Sequence, residues 1–162
     1  MTRTTEDIED MIDTYADMIL RLAINQTKNH ATAEDITQTV CMKYMESDMK
    51  FENAEHKKAW LLRVTINECK KHFRSFFTAK RVVLPEGCEL SAEAATEDSL
   101  ECEAVTEAIG ALPLKYRSVI HLYYYENYSV KEISRLLGKK ENTVMSDLHR
   151  ARAALKSKLQ YS

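Results

Sequence analysis

The stretch SVKEISRLLGKKENTVMSDLHRAR, Ser129 to Arg152, decides the fold because it spells two short helices joined by a tight turn. Ser129 and Glu132 make the S-x-x-E capping box, in which each side chain satisfies the other residue's orphan backbone N–H. Tyr128 and Ile133 stand where a hydrophobic staple closes the helix start. Ile133, Leu136 and Leu137 form the buried stripe, and Gly138 ends the helix because glycine turns left-handed without a Cβ penalty. The turn runs over 138–141, with Asn142 expected to cap the second helix. In that helix Val144, Leu148, Ala151, Leu155 and Leu159 recur at helical spacing, so one face is core. At about 100° per residue, Ser146, His149, Arg150 and Ala153 fall opposite, small or hydrogen-bonding groups suited to a major groove. Lys139, Lys140, Thr143 and Arg152 are candidates to meet phosphates. This is the helix-turn-helix pattern, although a helical hairpin with a solvated polar face has the same spacing.

Outward from this stretch, the rest of the 162 residues also read as helix. Three glycines and two prolines are too few for a turn-rich sheet protein, so the expected class is all-α, in two small domains with modest cores. The chain has no apolar run of about 18 residues, and MTRTTEDIED is acidic, so neither membrane insertion nor a signal peptide is expected and the protein is placed in the cytoplasm. Cys41, Cys69, Cys88 and Cys102 form no C-x-x-C pair and lie near no histidine at zinc spacing, which argues against a metal site or a disulfide framework.

The net charge of -2 conceals blocks of opposite sign. Residues 1–55 and 85–108 are acidic, whereas 56–84 and 109–162 are basic. The basic blocks are candidate phosphate footprints, because neutralising phosphates releases condensed counterions. Solvated helix faces are the plainer account of the same blocks.

Along the N-terminal part, Ile8, Met11, Ile12, Tyr15, Met18, Ile19 and Leu22 trace one face of a helix from about Thr5 to Gln26. A polar break follows, and Thr32 is expected to cap a second helix striped by Ala33, Ile36, Val40 and Tyr44. Asp35, Gln38 and Met42 share a more exposed face. The segment ESDMKFENAE, residues 46–55, reads as a loop. The long helix after it carries Trp60, Leu61, Val64, Cys69 and Phe73 among Lys57, Lys58, Arg63, Lys70, Lys71 and Arg74. Rings beside cations suit a single strand, whose bases stack while its backbone is held, and Trp60 can serve both core and platform. Residues 79–98 read as an acidic linker. Helix character returns near Ser99 and breaks at Leu112-Pro113, with Pro113 expected at the first position of a helix through Tyr116, Val119, Ile120 and Tyr123.

Taken in order, these stretches resemble the bacterial RNA polymerase sigma factors of the extracytoplasmic-function (ECF) group over nearly the whole chain. AEDITQ (33–38) resembles the D-x-x-Q signature of region 2, and AWLLRVTIN (59–67) the W-L-x-R-I-x-x-N helix after it. ALPLKYRSVIHLYYYENYSVKEIS and NTVMSDLHRARAAL resemble region 4. The resemblance implies a region 2 helical bundle (1–78), the acidic linker (79–98) and a region 4 helix-turn-helix (99–162). It also implies a dissociable subunit that binds core RNA polymerase, opens promoter DNA and answers to a specific anti-sigma factor. Asp35, Gln38 and Met42 would then face the polymerase clamp. Trp60 and Asn67, with the loop over 49–55, would receive a base flipped from the -10 element, at a cost of a few kcal/mol. The basic helix beside them would hold the strand, and Met145, Ser146, His149 and Arg150 would read the -35 groove.

The sequence departs from the family at Met145 and Asp147, where many members are basic, and at Cys41, where an aromatic is usual. Asp147 is open to three roles: packing on the preceding helix, accepting from a cytosine amino group, or repelling phosphate. No Gly-rich phosphate loop, metal cluster or activated nucleophile is legible, so neither enzyme activity nor a cofactor is expected. The competing readings are a helix-turn-helix regulator acting without polymerase and a sigma-like interaction protein no longer active in initiation.

Overall fold

Helix α1 (Thr5–Thr27) begins where the Thr4 hydroxyl accepts from the Asp7 backbone N–H at 3.1 Å, and ends where Lys28 turns left-handed at φ 56°. The computed structural model describes residues 3–80 and 100–160. Immediately after Lys28 the backbone extends at Asn29, whose Oδ1 accepts from the Thr32 N–H at 3.1 Å and starts α2 (His30–Glu46). The expected cap at Thr32 is thus corrected: an extended Asn29 captures the backbone donor of Thr32, and the helix begins three residues sooner. Helix α3 (Ala54–Lys80) starts behind Asn53, whose side chain accepts from the His56 N–H at 2.8 Å.

These three helices pack mutually around Met11, Ile19, Leu22, Val40, Tyr44, Leu61, Leu62 and Ile66, all of them buried. The apolar stripe of α1 is narrower than its sequence suggests, since Ile12 is 41% exposed. Lys43 of α2 pairs with Glu68 of α3. Cys69 is a free thiol within this core; burial, with Glu68 beside it, pushes its pKa up to about 12. Cys41 is half-buried, also free, and its thiol is raised by burial.

The chain divides into two compact units, Met1–Arg81 and Val82–Ser162. Residues 79 and 80, expected to open the acidic linker, still belong to α3, and the rest of that stretch lies outside the described residues. In the second unit α4 (Leu100–Gly110) and α5 (Leu114–Ile120) are separated by Ala111–Pro113. Pro113 caps α5 instead of opening it: its φ of -53° suits either role, but a ψ of 148° keeps it extended. From His121 to Tyr125 the chain widens into a π-helical turn, closed by Glu126 N–H on the His121 carbonyl at 3.2 Å. Helix α6 (Val130–Leu137) and helix α7 (Glu141–Gln160) complete the unit, with α7 packed against α4, α5 and α6. Among the described residues there are helices and turns but no strands.

Candidate nucleic-acid interface

The helix-turn-helix forms with the local chemistry its sequence calls for. Ser129 Oγ accepts from the Glu132 N–H and Glu132 Oε1 from the Ser129 N–H, each at 3.1 Å. Tyr128 and Ile133 are both buried, and Gly138 sits at φ 66°. One boundary moves: the Lys140 carbonyl accepts from the Val144 N–H at 3.0 Å, so Asn142 lies in the first turn of α7 and does not cap it. Val144, Leu148 and Ala151 are buried, while the stripe fades at half-buried Leu155 and at Leu159, which is exposed.

The opposite face of α7 presents Thr143, Met145, Ser146, His149 and Arg150 to solvent, and Lys140 is exposed ahead of it. Met145 is 57% exposed, an apolar side chain on a polar face. Two residues expected at phosphates are engaged within the protein. Lys139 Nζ lies 3.3 Å from Asp147 Oδ2, and Asp147 is only 4% exposed. Of its three open roles, Asp147 therefore takes the one against the preceding segment, bracing the turn from α7. Arg152 Nε donates to the Tyr124 hydroxyl at 2.6 Å, and its guanidinium lies over the Tyr123 and Tyr124 rings at 5.2 and 5.6 Å. It ties α7 to the π-helical turn.

In the first unit, Asp35, Gln38 and Met42 share an exposed strip of α2 spanning about 60°. On α3, Arg63, Asn67, Lys71 and Arg74 are exposed and Trp60 and Lys70 half-buried, all six within an arc of about 100°. Lys58 falls about 160° round from Trp60, on the side that carries the core leucines, and so does not join this face. Lys57 is also drawn away, 3.5 Å from Asp7 Oδ1 and 5.5 Å from the Tyr44 ring centroid.

Trp60 belongs to an aromatic cluster. Its ring meets Phe51 edge-on at 5.6 Å and Tyr44 at 6.3 Å, and Phe51 stacks on Tyr44 at 6.2 Å and meets His56 at 5.3 Å. Beneath the rings, Asp7 accepts from the Tyr44 hydroxyl at 2.9 Å and from Arg3 at 3.2 Å. Burial pushes the Asp7 carboxyl up, but the Tyr44 hydroxyl, Lys57 and Arg3 together outweigh it and hold its pKa below the ordinary value. For Lys57 burial pushes down, and Tyr44 and Asp7 more than reverse it. The residues that sequence reading missed are Arg3, Asp7 and His56, and Phe51 was included only as part of the 49–55 loop. A lone aromatic in the polar loop ESDMKFENAE was the one local signal; Arg3 and Asp7 reach Tyr44 across some forty positions of sequence and gave none.

Two family models match the chain: Sigma-70 region 2 over residues 11–75 and Sigma-70, region 4 over residues 102–155. The ECF RNA polymerase sigma factor SigL of Mycobacterium tuberculosis is 30% identical, covering 93% of this chain and 87% of its own. The chain belongs to the ECF RNA polymerase sigma factors. As such it directs transcription initiation, and its two units carry the family's region 2 and region 4. The ECF sigma factor SigW of Bacillus subtilis is 29% identical over 93% of this chain and 88% of its own. In fold the chain resembles the sigma factor RpoE of Bartonella quintana, solved with the anti-sigma factor NepR. That match has a TM-score of 0.77 at 23% identity and covers 96% of this chain and 98% of the other.

Proposed function

We propose that the exposed α3 face captures the displaced strand of the -10 element, while α7 reads the -35 element in duplex form. The observation that carries this reading is the convergence of Arg63, Asn67, Lys71 and Arg74 on one side of α3, beside the ring cluster to which half-buried Trp60 belongs. Cations along one side hold a backbone, and an exposed aromatic edge accepts an unstacked base. Flipping that base costs a few kcal/mol, so capturing it helps hold the bubble open without ATP. Lys140 and Thr143 meet phosphate in this reading, and Met145, Ser146, His149 and Arg150 face base edges. Asp35, Gln38 and Met42, exposed together on one strip of α2, dock on core polymerase.

The protein assists the polymerase's chemistry and performs none of its own, and it works in the cytoplasm, where polymerase and promoter are. A specific anti-sigma factor is its regulator, in keeping with the partner named for the Bartonella quintana relative in fold. Among the described residues no helix is long and apolar enough to cross a membrane.

Run-off transcription with purified core polymerase on genomic promoter fragments tests the reading. New start sites are expected; a protein that neither binds core nor alters start sites would overturn it. Asn67→Ala should spare duplex -35 binding and impair opening. Arg150→Ala should cost about 1–3 kcal/mol of discrimination at one -35 position, whereas uniform weakening on all sequences would assign Arg150 to phosphate.

A further inference from the structure

Arg3 precedes the matched span of region 2, yet its guanidinium is committed on every edge. Nε donates to the Tyr44 carbonyl and Nη2 to the Met49 carbonyl, each at 2.7 Å, and Nη1 donates to Asp7 at 3.2 Å. Its plane also covers the Tyr44 ring at 4.0 Å and reaches the Phe51 ring at 5.3 Å. The segment it grips, 47–53, has neither helix nor strand to hold it. At one end of that segment Ser47 N–H bonds into the last turn of α2. At the other, Glu52 N–H donates to His56 Nδ1 at 3.2 Å and Asn53 caps α3. Between these ends, Met49 is held through its carbonyl by Arg3 and Phe51 by its ring contacts.

A planar, five-donor fork can bridge two carbonyls, pair with a carboxylate and stack on a ring at once; an ammonium cannot. The loop whose Phe51 meets Trp60 edge-on is thus gripped by a residue more than forty positions away. We propose that Arg3 is a positioning residue for promoter recognition, fixing the 47–53 loop over Trp60 and so shaping the pocket that takes the displaced -10 base. The inference rests on the -10 reading given above and deepens it. Asp7 completes the device by orienting the guanidinium while accepting from Tyr44.

Trp60 is the chain's single tryptophan, so its emission reads the loop directly. In the free full-length protein, Arg3→Ala should raise acrylamide quenching of Trp60. In the reconstituted holoenzyme it should lower discrimination among promoters differing at one -10 base by about tenfold, the equivalent of one charge-assisted hydrogen bond. Core affinity and -35 protection should stay unchanged. Arg3→Lys, which keeps the charge and can keep the Asp7 pair, should also lose discrimination; if Arg3→Ala lowers the unfolding midpoint, this variant decides. Unchanged quenching and discrimination in Arg3→Ala, or full restoration by lysine, would overturn the proposal. Asn67→Ala separates the two levels: if it loses discrimination while Arg3→Ala keeps it, the role of Arg3 falls alone, and if both keep it, the pocket reading falls too.

Discussion

Asp147→Ala is expected to weaken the C-terminal unit while tightening its hold on DNA of any sequence. The carboxylate is buried and lies 3.3 Å from Lys139 Nζ, whose side chain is one quarter exposed. At an effective dielectric of about 20 the attraction at that distance is about 5 kcal/mol. Desolvating the carboxylate and fixing a long lysine side chain offset most of it, leaving a net contribution of about 1–2 kcal/mol. The loss stays below the roughly 3–5 kcal/mol of a stranded buried charge, because Lys139 can swing into water. For a unit this small the melting temperature should fall by about 4–8 °C per kcal/mol. The freed ammonium stands at the turn between α6 and α7, where one more phosphate contact should steepen the dependence of log K on log salt by about 0.9. Thermal unfolding and anisotropy titrations of the full chain, on a -35 duplex and a scrambled duplex at several salt concentrations, measure both effects. Asp147→Asn, which keeps the shape and drops the charge, should shift the slope equally. Weaker binding confined to one base pair, at an unchanged salt slope, would refute the reasoning and make Asp147 a base reader.

Ser129→Ala removes the acceptor for the Glu132 N–H and should cost about 1 kcal/mol in thermal unfolding, with Ser129→Asp restoring most of it. Asp7 makes the N-terminal unit acid-sensitive: its pKa is lowered in the folded state, so its contribution is present above the unfolded value of about 3.9 and is lost as pH falls through the folded value. Urea unfolding followed by Trp60 emission should show wild type losing stability relative to Asp7→Asn on acidification below about pH 5; parallel pH profiles would exclude Asp7 as the group responsible.

How far the site was legible depended on the reach of the interactions that make it. Capping box, staple positions, left-handed glycine and the first three residues of the α7 stripe all act within a few residues, and each stands where the sequence put it, while the stripe fades at Leu155 and Leu159. The exposed strip of α2 was equally legible, because about 100° per residue fixes which side chains share a side, whereas the reading of α3 included Lys57 and Lys58, which do not join its face. One cap moved where two acceptors stood close together: Asn29 displaced Thr32, directly after Lys28 had turned the chain. The π-helical turn gave no signal in the sequence. Its wider hydrogen bond, Glu126 to His121, fits a segment that must also return Tyr128 N–H to the Leu122 carbonyl, a demand set by packing.

The sequence alone determined an all-helical chain, a helix-turn-helix near its end and a family of promoter-reading subunits, since periodicity, caps and short motifs are local properties of the backbone. Only the tertiary structure decided which of its cations are engaged within the protein. Lys57, Lys139 and Arg152 look alike in sequence to Arg63, Lys140 and Arg150, but the first three meet Asp7, Asp147 and the Tyr123–Tyr124 pair. A charge on a helix is written in one residue; whether it is already neutralised depends on a partner brought close by folding, across eight positions for Lys139 and fifty for Lys57. The same holds for Arg3, whose role exists only because α1, the end of α2 and the following loop converge on one guanidinium.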